Sequence, residues 1–262
     1  MTSAEDLADA NLIEAIREHA RWQEPAEVVE DDGVVMMAGA NAFPAAFRNC
    51  VARISPGAAA DRVLQRARDF FGRRGRGFTV FVREKRDGEI EKLLRSSGLA
   101  PVGETPCMVV EAPVPEPRVR QGVRVERFSE ERHVRDAAEV NAEAYQSIKL
   151  APEEARVYFC KPAGLLSRRV IGFVAYQDER PVSTALTIVS GKGAGVYWVG
   201  TLPTAQRRGL GELCTALATN AGFAAGASVL TLQATAFGEP VYRRLGYRTY
   251  DQLRRYRHPA PG

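Results

Sequence analysis

Histidine, cysteine and tryptophan are scarce in this chain: three, four and two among 262 residues. The cysteines, Cys50, Cys107, Cys160 and Cys214, lie far apart and never form a CxxC pair. With so few histidines beside them, no metal-site spacing exists, so no metal centre is expected and the thiols read as isolated buried side chains. Long apolar runs are missing too. The longest, such as Val34–Ala40 and Ile171–Tyr176, are strand-sized and fall well short of the roughly 18 residues of a membrane span. The start, Met1–Asp6, is acidic and leads into no apolar signal core, which predicts a cytoplasmic protein without a membrane partner.

What is present suits a folded chain. Hydrophobic residues make up 45% and charged residues 26%, ordinary for a globular protein and too apolar for a mostly disordered one. The net charge of +4 is unevenly spread, with −2 on residues 1–121 and +6 on residues 122–262. A basic second half suits an anionic ligand, either nucleic acid or a phosphorylated cofactor. Three prolines within Glu111–Arg118 fix φ and remove backbone donors, so this segment reads as an extended linker. It divides the chain into residues 1–117 and 118–262, each a reasonable domain size.

In the second half, alternation predicts a strand over Gly122–Phe128, and Ser129 is placed to cap a helix to about Gln146. A short helix is expected from Pro152, then strands at Arg169–Gln177 and Val182–Val189. Gly191–Gly195 reads as a turn into a strand at Val196–Thr201, followed by a helix from about Gly209 to Ala225. A strand at Val229–Ala234, a helix at about Glu239–Leu245 and a final strand pair within Tyr247–Arg257 complete it. The first half repeats the order in worn form: a strand near Ala46–Ile54, a loop Ser55-Pro-Gly57, a helix to about Phe71, a strand at Phe78–Val82, a helix to about Arg95 and a strand at Thr105–Glu111. A tandem duplication follows, in the α/β or mixed α+β class, with a central mixed sheet flanked by helices.

The segment that bears on chemistry is Gln206-Arg-Arg-Gly-Leu-Gly211, between a strand and a helix. Gly209 and Gly211 lack Cβ, so backbone N–H groups can converge on one point and a ligand can come close. The helix starts there with unpaired N–H groups and a dipole that favours an anion, and Arg207 and Arg208 add charge. A pyrophosphate would suit this turn; so would a plain strand–turn–helix with surface arginines.

Here the sequence resembles the GCN5-related N-acetyltransferase family. Gln206–Gly211 matches that family's Q/R-x-x-G-x-G/A acyl-CoA loop. About 36 residues further on, Val241-Tyr-Arg-Arg-Leu-Gly-Tyr247 resembles its closing LYxxxGF motif. The resemblance covers about Val123–Tyr256, and the first half fits as a degenerate copy with Ser55–Ala60 where the phosphate loop would be. It implies two tandem acyl-CoA N-acyltransferase-like domains, the first without cofactor and the second binding acetyl-CoA. It also implies that strands Val196–Thr201 and Val229–Ala234 splay apart, the backbones of Val199 and Thr201 pairing with the pantetheine arm. Val199 N–H would then support the oxyanion and Tyr242 would protonate the leaving thiolate. Gln206, Arg207, Arg208, Gly209, Leu210 and Gly211 would hold the pyrophosphate. Thr235 stands where the family carries a cofactor-contacting asparagine. The implied reaction is transfer of an acyl group to a primary amine of a small molecule or protein; the alternative is a non-catalytic acyl-CoA sensor or scaffold.

A base is not evident. Glu143 and His133 could act through water, or belong to a solvated helix face. Tyr145, Tyr158 and Phe159 either border an acceptor pocket or fill the core. Gly72-Arg-Arg-Gly-Arg-Gly77 lacks aromatic interleaving and reads as a basic turn rather than a nucleic-acid tract. Gly191–Gly195 lacks the spacing of a P-loop.

Overall fold

A computed structural model describes residues 2–119 and 121–261. Eleven strands form one sheet. In the first half, helix α1 (Ala4–Arg21) precedes β1 (Glu27–Asp31), β2 (Val34–Ala38) and β3 (Asn49–Arg53). Helix α2 (Ala60–Gly72), β4 (Phe78–Arg83), α3 (Gly88–Ser96) and β5 (Pro101–Val110) follow. The second half runs β6 (Val123–Arg127), α4 (Glu131–Ala144), α5 (Pro152–Arg156), α6 (Pro162–Leu165), β7 (Val170–Gln177), β8 (Arg180–Ser190) and β9 (Gly193–Thr201). It ends with α7 (Leu210–Ala224), β10 (Val229–Gln233), α8 (Glu239–Arg244) and β11 (Arg248–His258).

The strand order, β1-β2-β3-β4-β11-β5-β10-β9-β8-β7-β6, shows how the halves join. Each half gives its last strand away. β11 pairs antiparallel with β4 of the first half, β5 pairs antiparallel with β10 of the second, and β5 and β11 lie side by side. From β1 to β7 the order reads the same from either end if β1 to β5 are exchanged for β7 to β11, as a duplicated chain requires, and β6 is an added edge strand of the second half. Helices α2, α3, α7 and α8 cover one face of the sheet. Helices α1 and α4 cover the other, where an apolar cluster runs from Val35 and Met37 through Cys107 and Val109 to Val229, crossing the boundary between the halves.

Three expectations need correction. Gly193–Gly195 is not part of a turn but opens β9, and supplies all of its parallel pairing with β10. These glycines are needed because α1 lies on them: a Cβ at Gly193 would sit 2.8 Å from the carbonyl of Leu7, and one at Gly195 would collide with Asn11 Oδ1. The expected final strand pair is one long strand, β11, bulged twice against β5 and bridging both halves. Helix α1 itself was not foreseen. Its cue was present: Ser3 Oγ accepts the N–H of Asp6 at 3.1 Å while Asp6 Oδ2 accepts the N–H of Ser3 at 3.1 Å, a reciprocal N-terminal cap. Its apolar stripe is interrupted by the buried polar residues Asp9, Asn11, Glu18 and His19, which hides the helical period.

Cutting the chain at the proline-rich linker should therefore leave neither piece intact. Residues 118–262 alone lose β5, the partner shared by β10 and β11, and the α1 cover of β9. The exposed edges and apolar face should cause aggregation. A soluble monomeric 118–262 fragment with the melting temperature of the full chain would contradict this.

Candidate functional site

The site begins with a failure of pairing. β9 and β10 run parallel only where Gly193–Gly195 meet Val229–Thr231. Beyond that, from Val196 to Thr201, β9 keeps only its β8 partners, while Leu232 and Gln233 keep only their β5 partners. β9 also breaks step with β8. Between the pairs Leu186–Tyr197 and Thr184–Gly200, Trp198 and Val199 together oppose Ala185, forming a β-bulge. Trp198 takes φ +52°, a left-handed conformation uncommon for an aromatic residue. As a result Tyr197 and Trp198 pack on the same face, with Tyr158 and Phe159, while Val199 packs on the opposite face with Tyr242.

Next to the open strand, the chain turns through Pro203–Ala205 and enters α7. Arg207 and Gly209 both have positive φ, 62° and 78°. No side chain caps α7, and among the described residues the backbone N–H groups from Arg207 to Glu212 donate to no protein group. Such a run at a helix N-terminus, where the dipole is positive, is an anion cradle. Gln206, Arg207, Arg208 and Gly209 are exposed, whereas Leu210 packs inward on Val182 and Ala205. Gln206 Nε2 reaches the carbonyl of Thr201 at 3.4 Å, and Arg208 reaches Gln177 Oε1 at 3.2 Å. Gly211 fits closely over β9: a Cβ there would lie 3.0 Å from Thr201 Oγ1. Two cavities of about 490 and 260 Å³ share Gln177 and Arg208 and flank this turn, outside the opening between β9 and β10.

Tyr242 closes the other wall. It is 8% exposed on α8, and its phenol lies across Gly238, where a Cβ would stand 2.7 Å from Cε2 and 3.0 Å from the hydroxyl. Burial pushes its pKa up to about 12, so it holds its proton at neutral pH. Tyr145, half-buried at the end of α4, is also shifted upward, mainly by burial and then by neighbouring Tyr242. Thr235 Oγ1 accepts the N–H of Gly238 at 3.2 Å and so shapes the turn into α8. Among the described residues, two buried polar atoms near the opening have no protein partner: Gln233 Nε2 at the end of β10, and Asn141 Oδ1, which faces Gly200.

Of the two candidate bases, Glu143 is exposed, in keeping with a solvated helix face. His133 is not on a solvated face; it is 4% exposed, its Nδ1 accepts the N–H of Ser129 at 3.2 Å and its Nε2 lies 2.8 Å from Glu126 Oε2. Both ring nitrogens serve the entry into α4, which leaves neither for proton abstraction.

The first half has the same frame with different contents. Val51 pairs with Val80 as Gly195 pairs with Thr231. Counting on from there, Arg83 matches Ala234 and the α3 cap Asp87 matches the α8 cap Gly238. β3 ends two residues past its last parallel pair, at Arg53. Arg53 Nε donates to Asp87 Oδ1 at 2.9 Å, Arg83 Nε donates to Asp87 Oδ2 at 2.9 Å, and Arg83 Nη2 donates to the carbonyl of Arg53 at 2.7 Å. This buried ion cluster stands at positions that carry the uncharged Ala234 and Gly238 in the second half.

Sequence reasoning missed Trp198 and the residue that holds it. The Trp198 indole N–H donates to His19 Nε2 at 2.9 Å, and His19 Nδ1 lies 2.6 Å from the carbonyl of Ala15. Burial drives the His19 pKa down to about 3, so the ring is neutral. Two consecutive bulky aromatics, Tyr197-Trp198, in a strand that should alternate were the available signal.

No family model matches the sequence, and no curated protein matches it. Solved structures do. The chain is similar over 96% of both chains, with a TM-score of 0.71 and 21% identity, to a GCN5-related N-acetyltransferase from Kribbella flavida. It is similar to one from Sphaerobacter thermophilus with a TM-score of 0.64 and 16% identity, over 99% of this chain and 95% of that one. A tandem protein of the same family from the clavulanic acid biosynthesis pathway aligns over 99% of this chain and 97% of its own, with a TM-score of 0.64 and 14% identity. At these identities the likeness is one of fold. The chain has the tandem GCN5-related N-acetyltransferase fold.

Two outcomes follow from the buried groups. Asp87→Ala leaves Arg53 and Arg83 buried without their shared anion and should cost about 3–5 kcal/mol in urea unfolding; a loss under about 1 kcal/mol would show that the cluster is solvated. His19 is neutral when folded and titrates near 6.5 when unfolded, so the unfolded chain binds the extra proton between these values and stability falls as pH falls. Against His19→Gln, the wild-type stability should drop by about 1.4 kcal/mol per pH unit below pH 6. A pH-independent difference between the two proteins would contradict the neutral, buried ring.

Proposed function

We propose that this protein is an acyl-CoA-dependent N-acyltransferase whose second half binds acetyl-CoA and passes the acyl group to a primary amine of a small molecule or protein. The observation that carries this reading is the opening of β9 from β10 at a bulge, beside an uncapped helix N-terminus and a buried protonated phenol. In this reading the free edge of β9, at Val199 and Thr201, pairs with the amides of the pantetheine arm as an added strand would. The N–H groups of Arg207–Glu212 receive the pyrophosphate, helped by the charges of Arg207 and Arg208, with Gln206 and Leu210 holding the turn. Thr235 borders the same path at the start of α8.

The chemistry then uses few groups. The amine nitrogen attacks the thioester carbonyl carbon, and Val199 N–H stabilises the oxygen that becomes negative. The carbon–sulfur bond breaks, the thiolate takes the Tyr242 proton or its hydrogen bond, and the amine proton leaves to solvent. No carboxylate lies on β9, so the amine is taken up already neutral or loses its proton through water. The first half takes no cofactor in this reading, because the Arg53–Asp87–Arg83 cluster occupies the corresponding space.

Release of free CoA thiol from acetyl-CoA across a panel of amines tests the reaction; no release with any amine or with water would reject it. Calorimetry should give one acetyl-CoA per chain, and a stoichiometry of two would reopen the first half. Gly211→Asp sets a carboxylate among the helix N–H groups and should weaken acetyl-CoA binding by about 100-fold or more; unchanged affinity would remove the pyrophosphate from this turn. Tyr242→Phe keeps the ring and deletes one hydroxyl, so the fold and the cofactor KM should hold while kcat falls about 100-fold. Near-normal kcat, with chemistry rate-limiting, would return Tyr242 to a packing role.

A further inference from the structure

Helix α1 belongs to the first half, yet it packs along β9 of the second. Its residues Leu7, Asn11, Ala15 and His19 are four apart and so lie on one face. That face engages β9 in order. Gly193 lies against the Leu7 carbonyl, and Gly195 against the Asn11 side chain. Tyr197 donates its hydroxyl proton to Asn11 Oδ1 at 2.9 Å, and Trp198 donates its indole proton to His19 Nε2 at 2.9 Å. Asn11 Nδ2 also donates to the carbonyl of Ile188 at 3.0 Å and to Ser190 Oγ at 2.7 Å, which ties α1 to β8. The helix is thus registered on the strand residue by residue.

His19 has little freedom of its own. Its Nδ1–H is committed to the Ala15 carbonyl, and its ring is held by Phe47, stacked at 4.3 Å, and Trp22 at 4.4 Å. Gln23 Nε2 donates both to the His19 carbonyl and to the Phe47 carbonyl, at 2.9 Å each. What remains is one lone pair in a fixed place, and Trp198 fills it. The other rings around the indole are Tyr145, Tyr158 and Phe159, and among the described residues His19 is its one hydrogen-bond acceptor. Trp198 is half-buried, and an N–H held against a packed ring cluster without an acceptor is costly.

This matters because the bulge has a competitor. A β9 in regular step with β8 would carry Trp198 to the opposite face, since a one-residue slip exchanges the faces of a strand. The direction of the Val199 N–H would change with it. We propose that His19 is a positioning residue for the second half's acyl-transfer site: by accepting the Trp198 indole proton it holds the left-handed bulge and so aims the Val199 N–H at the reacting carbonyl. This rests on the acyltransferase reading above. It gives the first half a role in the reaction, although it contributes no group that touches the substrates.

The test uses the full chain, with acetyl-CoA as probe and water or any accepted amine as acceptor. Trp198→Phe deletes the indole N–H and keeps an aromatic ring; His19→Phe deletes the acceptor and keeps the ring stack; His19→Gln can place Oε1 where Nε2 stood. A misplacement of about 1 Å at a reacting group can cost about 10²-fold in rate. Thiol release by Trp198→Phe and His19→Phe should therefore fall at least ~10-fold, while acetyl-CoA Kd stays within ~3-fold, and the double variant should be no slower than either single one. His19→Gln should recover turnover to within ~3-fold of wild type. Should His19→Phe fail to fold, Trp198→Phe and His19→Gln carry the comparison. Wild-type turnover in Trp198→Phe, or a Kd that weakens in step with turnover, would overturn the assignment while leaving the acyltransferase reading intact. A wild-type chain that neither binds nor cleaves acetyl-CoA would overturn both.

Discussion

Parallel strands β9 and β10 hold each other only at Gly193–Gly195, and the candidate chemistry occupies the place where they let go. A parted pair is an unstable arrangement on its own, because each freed N–H and C=O has lost a partner. The surroundings compensate in specific ways. β8 and the bulge at Trp198–Val199 keep one side of β9 in the sheet, β5 keeps β10 in place, and α1 seals the face beneath. The opening is therefore a gap between strands that are each paired on their other side. An incoming chain with amides at strand spacing would complete the pattern that the protein leaves unfinished.

The two halves show what it takes to close such a gap. In the first, β3 stops early, and two arginines share one aspartate across the end of the strands. In the second, the matching positions are Ala234 and Gly238, which have no charge to offer. A small residue and a glycine leave room for the Tyr242 ring, which could not lie where it does if Gly238 carried a Cβ. One backbone frame thus gives a sealed core or an open site according to a few side chains, and charge placed in the interior is what seals it.

Much of this was legible in the sequence. The strand–turn–helix around Gln206–Gly211 and the repeated order of elements were readable because they rest on local turn chemistry and on periodicity, whereas the Tyr242 segment and the parting of Val196–Thr201 from Val229 onward were expected only from the family resemblance. What escaped depends on distant contacts. Gly193–Gly195 looked like a turn since nothing in those three residues reveals the helix from residue 7 onward that lies on them. His133 looked exposed because its burial is set by Ser129 and Glu126. The exchange of β5 and β11 leaves no local trace: each reads as an ordinary strand, and only its neighbours in the sheet show whose edge it fills.

That exchange also sets an order of events during synthesis. β4 emerges early, yet its outer partner is β11, whose last residue is His258. β5, formed at about residue 110, must wait for both β10 and β11. The growing chain therefore carries two unsatisfied strand edges from the appearance of β4 and β5 until β11 is made, and the sheet is sealed only when β11 slides between β4 and β5. Pairings this far apart in sequence form slowly, and unpaired edges invite association with other chains. Strand β11 is thus the closing piece of the first half as much as of the second, and a chain interrupted before Arg248 has an opening down the middle of its sheet and is not merely missing a tail.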